Sequence, residues 1–264
     1  MDFLNLKDKE ILVTGLANKK SIAFHVAKIL KESGAKVLFS VHPTSLEKAS
    51  SLFPEDPIYT CDVKSPESIQ EFKNNVEKNG HKLKGLIHSI AFANYSEGIK
   101  PFIETKWEDY LEAHQISCHS LVSLSNALKD LIEVDGSIVT ISISSTKATS
   151  YGYMGPIKAA LDATVPFLAK SFSEFSNVRV NAVCSGPLKT SASAGIPGYI
   201  NNYIYSEKLT LRKKNLLTTE VANTVAFLMS DRSSGINAER IVVDAGMSCN
   251  YFDGEVVKTV ADHI

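Results

Sequence analysis

Short runs of apolar, often β-branched residues alternate along the chain with longer segments of helical period. Most of the short runs are apolar at successive positions, as expected for strands that are covered on both faces of a sheet. A helical segment also follows the first strand and ends near Gly34. The predicted strands cover residues 10–15, 36–41, 57–62, 85–91, 136–142, 178–184 and 239–245, and the other long helices cover 66–79, 107–132, 152–175 and 219–230.

This alternation predicts an α/β fold, a Rossmann-like doubly wound parallel sheet of about seven strands with helices on both faces. The chain shows no internal repeat, low-complexity stretch or flexible linker, so we expect one domain over residues 1–264. Ligands of such sheets bind beyond the carboxyl ends of the strands. Candidate chemistry is therefore expected at those ends.

Composition and charge exclude several classes of function. With 44% hydrophobic residues among 264, the chain can bury a large core. Its 28 basic and 29 acidic residues nearly cancel, which disfavours binding to nucleic acid or an anionic membrane. The charged N-terminus and the lack of an apolar run of about 18 residues argue against a secretory signal or membrane insertion. Four dispersed cysteines without a C-x-x-C pair suggest no metal, so we expect a soluble, cytoplasmic protein.

The loop after the first strand, TGLANKKSIA, is a candidate phosphate cradle. Gly15 follows the strand, and Ser21 is a good N-cap for the next helix, whose first backbone N–H groups and dipole would favour a pyrophosphate. The usual G-x-G-x-x-G is absent, however. An ordinary βα turn would look the same, so this loop alone leaves both interpretations open.

Two later strand ends add candidate contacts. Asp62, at the end of the third strand, could accept a hydrogen bond from an adenine amino group or could equally cap a turn. The small residues Ser89, Ile90 and Ala91 would allow a ribose and a nicotinamide to approach the backbone closely, although small residues also serve ordinary packing.

The stretch YGYMGPIK, residues 151–158, contains two tyrosines and a lysine. A helix turns about 100° per residue, so Tyr151 would return to the face of Lys158 roughly 10 Å away, whereas Tyr153 would point aside. Tyrosines at a helix start are also common packing residues. The spacing therefore favours Tyr151 over Tyr153 as a partner of Lys158, if the lysine is functional.

Taken in order, these motifs resemble the enoyl-acyl-carrier-protein reductases of the short-chain dehydrogenase/reductase superfamily, the type of bacterial fatty-acid synthesis. The similarity runs from about residue 4 to residue 250. The motifs that carry it are Gly15-x5-Ser21-Ile22-Ala23, Cys61-Asp62-Val63, Ser89-Ile90-Ala91, Tyr151-x6-Lys158 around Met154-Gly155, Val180-Asn181-Ala182 and Gly186-Pro187-Leu188-Lys189-Thr190.

The resemblance implies reduction of the trans-2 double bond of enoyl-acyl-carrier-protein thioesters, the last step of the elongation cycle. Tyr151 would donate to the thioester oxygen as negative charge develops there, and Lys158 would hold the nicotinamide ribose. Carbonyl- or alcohol-converting relatives place their tyrosine four residues before the lysine, where this chain has Met154. That class remains the alternative, with a non-catalytic, dinucleotide-sensing Rossmann protein as a second one.

The resemblance also assigns cofactor and substrate contacts. The end of the second strand, VLFSVHPTS, has neither an acidic residue for a free ribose nor an arginine for a 2′-phosphate, which favours NADH and leaves NADPH open through His42 or Lys48. A substrate-binding lid is expected at about residues 188–210. The implied cofactor contacts are Gly15, Ser21, Ile22, Asp62, Val63, Ser89, Ile90, Ala91, Lys158, Pro187, Leu188 and Thr190, and the implied pocket residues are Tyr153, Met154, Ile196, Ile200 and Tyr203.

In one respect the chain departs from the family. Many members carry a second tyrosine at the end of the strand before the catalytic helix, and ISISSTKATS has none, so Ser142 or Ser144 is a candidate for a polar contact there. Family members form homotetramers and act on an acidic acyl carrier protein. A basic run that could dock this carrier, or simply form a solvated face, comprises Lys208, Arg212, Lys213 and Lys214.

Overall fold

A computed structural model of the chain describes residues 3–98 and 100–262. Within them lies one seven-stranded sheet of order β3-β2-β1-β4-β5-β6-β7, in which every neighbouring pair is parallel. The predicted fold class is confirmed. The strands are β1 Glu10–Thr14, β2 Lys36–Val41, β3 Ile58–Thr60, β4 Leu83–His88, β5 Ile132–Ile143, β6 Arg179–Ser185 and β7 Arg240–Val243.

Helices cover both faces of the sheet. The segment predicted as one helix over 107–132 consists of two helices joined by a π turn at Gln115–His119, and its last residue already belongs to β5. The helices Leu46–Leu52 (α2), Ser191–Ala194 (α7) and Gly254–Ala261 (α10) were not predicted, and Tyr199–Leu209 (α8) lies within the segment predicted as a lid. The helices are α1 Ile22–Glu32, α2 Leu46–Leu52, α3 Pro66–Lys78, α4 Trp107–His114, α5 Ser120–Leu128, α6 Met154–Ser173, α7 Ser191–Ala194, α8 Tyr199–Leu209, α9 Thr218–Met229 and α10 Gly254–Ala261.

The sheet separates two apolar cores, because successive residues of a strand point to opposite faces. In β1, Leu12 packs into the core beneath α3, α5 and α6, whereas Ile11 and Val13 pack against α1 and α9. All three side chains are fully buried. Burial on both faces makes the sheet a rigid platform for the loops at its carboxyl edge.

Strand order fixes where those loops meet. From β1 the chain first builds outward through β2 and β3, and then returns to place β4 on the other side of β1. Connections that leave β1 and β4 in opposite directions open a crevice above their carboxyl ends, which is the usual ligand position in such sheets. In the part of the chain that is described, no helix is both long enough and apolar enough to cross a membrane.

Candidate active site

The loops after β1 and β4 touch directly at the crevice. Gly15 has φ +78°, and a Cβ built there would lie 1.9 Å from the carbonyl oxygen of Ser89. Below them, the Thr14 hydroxyl donates to the carbonyl of Ile87 at 3.0 Å and accepts from the N–H of Ser89 at 3.2 Å. Glycine is required here both by the backbone angle and by the contact. The structure thus brings together two of the predicted cofactor segments, Gly15 and Ser89–Ala91.

The N-terminus of α1 follows this glycine loop. The Ser21 hydroxyl accepts from the N–H of Phe24 at 3.2 Å and donates to the carbonyl of Asn18 at 2.7 Å, so Ser21 is the N-cap and Ile22 the first helical residue. The first turn of α1 contains no acidic residue that would offset the helix dipole. A bare glycine surface beside a positive helix end fits the pyrophosphate of a dinucleotide.

Asp62 lies in the loop after β3. Of the two roles that the sequence left open for it, an acceptor for adenine or a turn cap, the structure shows the turn cap. Its Oδ1 accepts from the N–H of Lys64 at 2.9 Å, which is a turn cap. Its Oδ2 lies 4.0 Å from Nε2 of His42, the residue after β2, and Val63 packs partly buried against the core. The carboxylate therefore caps the turn through one oxygen and has its other oxygen beside His42.

Tyr151 does not belong to α6, contrary to the helix-face argument. It ends a single turn of 3₁₀ helix, Thr149–Tyr151, whose closure is a bond from the N–H of Tyr151 to the carbonyl of Ala148 at 3.0 Å. Gly152 follows with φ 60° and ψ −149°, a conformation that interrupts helical geometry, and α6 begins only at Met154. The turn, rather than helical periodicity, positions the phenol.

The side chain of Tyr151 is partly buried. It packs against the same core cluster as Ile90 and Tyr95. Burial raises the pKa of Tyr151 well above 10, and the neighbouring phenols of Tyr95 and Tyr199 raise it further. A phenol with a raised pKa stays protonated at neutral pH. Tyr151 is therefore a persistent hydrogen-bond donor rather than a readily dissociating acid.

Lys158 is almost fully buried in the second turn of α6. Its ammonium donates to the carbonyl of Ile141 at 2.9 Å. Burial lowers the pKa of Lys158 to about 8, and the carboxylate of Asp162, one helical turn further on, opposes that shift. Asp162 is held in turn by Arg240, whose Nη2 lies 2.7 Å from Oδ2 of Asp162. The ammonium is thus held below the crevice with donor capacity to spare.

The predicted lid contains α7 and α8, and its first residues are held by hydrogen bonds within the lid itself. The Leu188 N–H donates to the Tyr199 hydroxyl at 2.9 Å, and the Ser193 hydroxyl donates to the Leu188 carbonyl at 2.8 Å. Thr190 is the N-cap of α7, accepting from the N–H of Ser193 at 3.2 Å. Pro187 and Thr190 are partly buried, and the Leu188 side chain is buried. Tyr199 is therefore directed inward from the lid.

The other predicted pocket residues fall into different environments. Tyr153 is buried and donates to the carbonyl of Asn94 at 3.0 Å, and Met154 is packed in the core at 3% exposure. Ile196 is partly buried, whereas Ile200 is 52% exposed on the outer side of α8. Tyr203 is partly buried, with the ammonium of Lys189 4.6 Å from its ring centroid.

Sequence reasoning missed three residues of this site. Asp162 follows Lys158 by four positions, a spacing at which helical side chains meet, so it could have been found. Tyr95 and Tyr199 come from separate loops and carry no local signal. Ser142, one of the two serines considered in place of the absent second tyrosine, is buried inside β5 at 1% exposure.

His88 and the basic run are two further groups of ionisable side chains. His88 is fully buried between the hydroxyls of Thr140 and Ser120, and burial lowers its pKa to about 3. The basic run is partly neutralised, because Arg212 pairs with Glu220 at 2.5 Å and Lys213 pairs with Asp253. This face offers less free positive charge than the sequence indicates.

Comparison with known proteins gives a consistent result. Residues 15–248 match the family model described as Enoyl-(Acyl carrier protein) reductase. The chain is 37% identical over 251 residues to the NADPH-type enoyl-acyl-carrier-protein reductase FabI of Staphylococcus aureus, covering 92% of this chain and 98% of that protein. It is also 37% identical over 252 residues to the NADH-type FabI of a Nostoc species, covering 92% and 97% respectively.

Solved structures agree with the sequence relatives. The NADH-type enoyl-acyl-carrier-protein reductase of Aquifex aeolicus superposes with a TM-score of 0.87 at 34% identity, over 92% of this chain and 97% of that one. A Bacillus cereus enoyl-acyl-carrier-protein reductase, solved with NADP⁺ and an indole naphthyridinone, gives 0.86 at 30% identity, over 91% and 96% of the two chains. The resemblance inferred from the motifs is confirmed: this chain belongs to the enoyl-(acyl carrier protein) reductase family.

Proposed function

We propose that this protein reduces the trans-2 double bond of enoyl thioesters carried by acyl carrier protein, with a reduced nicotinamide dinucleotide, as the last step of fatty-acid elongation. The observation that supports the proposal is the partly buried phenol of Tyr151, which stays protonated because burial raises its pKa, in the turn just before the helix that carries the buried Lys158. Family membership supplies the class of substrate. The residue roles that follow are proposed from the arrangement of these side chains.

Residues on the carboxyl edge of the sheet fit a dinucleotide. The close contact of Gly15 with Ser89 leaves a flat backbone surface, and the Ser21-capped helix end suits the pyrophosphate. When bound, the reduced nicotinamide supplies the hydride for the β-carbon of the substrate. The remaining residues proposed to hold the dinucleotide are Ile22, Asp62, Val63, Ile90, Ala91, Lys158, Pro187, Leu188 and Thr190.

The role proposed for Tyr151 follows from charge development on the substrate. As the β-carbon gains a hydride, electrons shift through the α-carbon to the thioester oxygen, which becomes an enolate oxygen. A fixed donor in a water-poor site stabilises that charge by about 3 to 4 kcal/mol in other enzymes. Because its pKa is raised, the Tyr151 hydroxyl retains its proton and can act as this donor.

NADH is the proposed cofactor, on the basis of the β2–β3 edge. A 2′-phosphate would extend toward the residue that follows β2, which is His42. That imidazole already lies 4.0 Å from the Asp62 carboxylate, which would repel a phosphate. The carboxylate is a suitable acceptor for uncharged adenosine groups instead. A lid over about residues 188–210, with Ile196, Tyr199 and Tyr203 on its partly buried side, is proposed to cover the acyl chain.

Nicotinamide absorbance with a set of thioesters tests the proposed function. We expect crotonyl and longer enoyl thioesters to be reduced, with kcat/KM at least about tenfold higher for NADH than for NADPH, a difference of about 1.4 kcal/mol. An enoyl group bound to acyl carrier protein should be reduced with a higher kcat/KM than the same group on a small thiol. If β-ketoacyl thioesters or simple ketones are reduced faster than every enoyl thioester, the chain is a carbonyl reductase instead.

Assembly into a homotetramer is proposed from exposed apolar surface. Strand β7 is an edge of the sheet, and Val242 in it is 45% exposed. Phe167 on α6 is 75% exposed, and Phe175, two residues after the end of that helix, is 56% exposed. A second copy of the chain would cover these surfaces and the open strand edge. Light scattering should give four times the 28.8 kDa mass of one chain, and a monomeric mass would reject the proposal.

We also infer a cytoplasmic location, where reduced dinucleotide is available. All four cysteines are free thiols, of which Cys61, Cys118 and Cys184 are buried. Free thiols are typical of a reducing compartment.

A further inference from the structure

The segment after β7 holds the C-terminal end of helix α8. The family model matches residues 15–248, and Asn250 follows them. Its side-chain amide donates to the carbonyl of Leu209, the last residue of α8, at 2.8 Å and to Oδ2 of Asp253 at 2.8 Å. The final carbonyls of a helix have no partner within the helix, so a side chain that binds one of them fixes that end. Asn250 therefore joins the lid helix to the segment that precedes α10.

Asp253 is the second member of this arrangement. Its Oδ1 accepts from the N–H of Val256 at 3.2 Å, so Asp253 is the N-cap of α10. Its Oδ2 accepts from Asn250 and pairs with the ammonium of Lys213. That ammonium also donates to the carbonyl of Lys208, in the last turn of α8, at 2.7 Å. One carboxylate thus links the start of α10 to the end of α8.

Backbone contacts hold the turn after α8 in the same place. The N–H of Leu211 donates to the carbonyl of Ala245 at 3.0 Å. Gly246, with φ +78°, lies against the side chain of Leu211, where a built Cβ would be 2.4 Å from Cδ1. The turn is therefore held against the residues after β7 by its backbone as well as by the side chains of Asn250 and Lys213.

The beginning of α8 is held separately. The hydroxyl of Tyr199, the first residue of the helix, accepts from the N–H of Leu188 at 2.9 Å. With both ends fixed, α8 keeps one orientation, with Tyr203 on its partly buried side. If the C-terminal end were released, the helix would have to be ordered again whenever a ligand bound beneath it. That ordering would lower the apparent affinity for the ligand.

We propose that Asn250 and Asp253 are positioning residues for the substrate: they hold the C-terminal end of α8 so that the lid covers the acyl chain of an enoyl thioester. This inference rests on the proposed function and on the lid proposed with it. Both residues act through α8 and not by touching the substrate. Their removal should therefore weaken the binding of acyl chains long enough to reach the lid, and leave hydride transfer to a short substrate unchanged.

The variant that tests the proposal is Asn250→Asp, which keeps the size of the side chain, removes the amide donor and places a second carboxylate beside Asp253. With enoyl thioesters of a small thiol, we expect the KM for a long-chain substrate to rise about five- to tenfold, the effect of losing about one hydrogen bond. The KM for crotonyl thioester and the KM for NADH should stay unchanged. Substrates on a small thiol also exclude any effect of the basic run on a carrier protein.

The matched control is Asn202→Asp. Asn202 is an exposed residue of α8, so the same change of charge is made on the same helix away from its C-terminal end. This control should retain every kinetic constant of the unaltered protein.

A second variant and a second measurement separate loss of positioning from a general loss of stability. Lys213→Met removes the ammonium that binds both the Lys208 carbonyl and Asp253, and it should give the same rise in KM as Asn250→Asp. In both variants, hydrogen exchange at the backbone amides of α8 should be faster, while exchange in the strands of the sheet stays unchanged.

Three results would overturn the proposal: unchanged hydrogen exchange in α8, an equal rise in KM for crotonyl and long-chain thioesters, or a loss confined to kcat. If the unaltered protein reduced enoyl thioesters and both variants behaved as it does, this inference alone would be rejected. If the unaltered protein reduced none, the proposed function would be rejected first, and the positioning role would fall with it.

Discussion

Replacing Tyr151 with phenylalanine should lower kcat for enoyl thioester reduction by about 100- to 1,000-fold, the usual cost of losing one well-placed donor to an oxyanion. The expected loss is large because the hydroxyl is proposed to act where negative charge develops in the reaction and not merely where the substrate is held. NADH affinity should change little, since the residues proposed to hold the dinucleotide lie on other loops. Steady-state kinetics together with an NADH binding titration would measure both quantities.

An exposed tyrosine provides the control for this substitution. Tyr205 on α8 is 52% exposed, so Tyr205→Phe removes a phenolic hydroxyl away from the crevice and should leave kcat unchanged. If Tyr151→Phe weakened NADH binding as much as it lowered kcat, the phenol would serve the dinucleotide. If kcat were unaffected, Tyr151 would have no part in charge stabilisation.

Replacing Lys158 with methionine should raise the KM for NADH by about 10- to 100-fold, because hydrogen bonds to a charged group contribute about 1.5 to 3 kcal/mol. Methionine has a similar length and suits the buried position, so the packing of α6 should survive. The fold should not be weakened. Removal of a buried ammonium also removes its desolvation cost.

The same residue should give a characteristic pH dependence. The ordinary pKa of lysine, 10.5, is lowered to about 8 in the folded chain, mainly by burial. Nearby Asp162, Cys118 and Cys184 act in the opposite direction, and the neutral His88 adds no charge. In the free enzyme, Lys158 is therefore charged below pH 8 and loses its proton as the pH rises through that value. We expect kcat/KM for NADH to fall above about pH 8, and Lys158→Met to lack this fall.

The free energy of unfolding should rise with pH, whereas kcat/KM falls, and it should do so above about pH 8. Between about pH 8 and 10.5 the unfolded chain binds the lysine proton more than the folded chain does, so the free energy of unfolding rises with pH there. Tyr151 cannot produce the fall in activity, because its pKa is raised rather than lowered. A fall above pH 8 that persisted in Lys158→Met would assign the ionisation to another group.

Much of the candidate site could be predicted from the sequence, because its main segments directly follow buried strands. Parallel strands bring their carboxyl ends to one edge, so Gly15 and Ser89, which are 74 positions apart in the chain, were expected near each other, and they touch. Helix caps such as Ser21 depend only on neighbouring residues, and this one forms as expected. The ordered motifs, rather than any one of them, indicated the family.

The details that sequence missed arise where a conformation or a contact depends on distant parts of the chain. Tyr151 lies in a turn that Gly152 ends, so the 3.6-residue period did not apply to it. Ile200 was expected in the pocket but is exposed, and Tyr199, one residue earlier, faces inward because its hydroxyl meets the Leu188 N–H. A rotation of about 100° per residue separates these two outcomes, and local hydrophobicity cannot distinguish them.

The sequence by itself determined the alternating strands and helices and placed the site at the carboxyl ends of the strands, because these depend on periodicity and capping. It also indicated the chemical class of the site, because the motifs follow one another in the order found in the family. Only the tertiary structure decided which side chains share that crevice. Tyr95 packs on Tyr153, with 5.8 Å between the ring centroids, and the Tyr199 hydroxyl accepts from the N–H of Leu188 at 2.9 Å, contacts between segments that no local pattern links. The physical reason is that burial and the direction of a side chain depend on all of its neighbours in space, and no local pattern contains them.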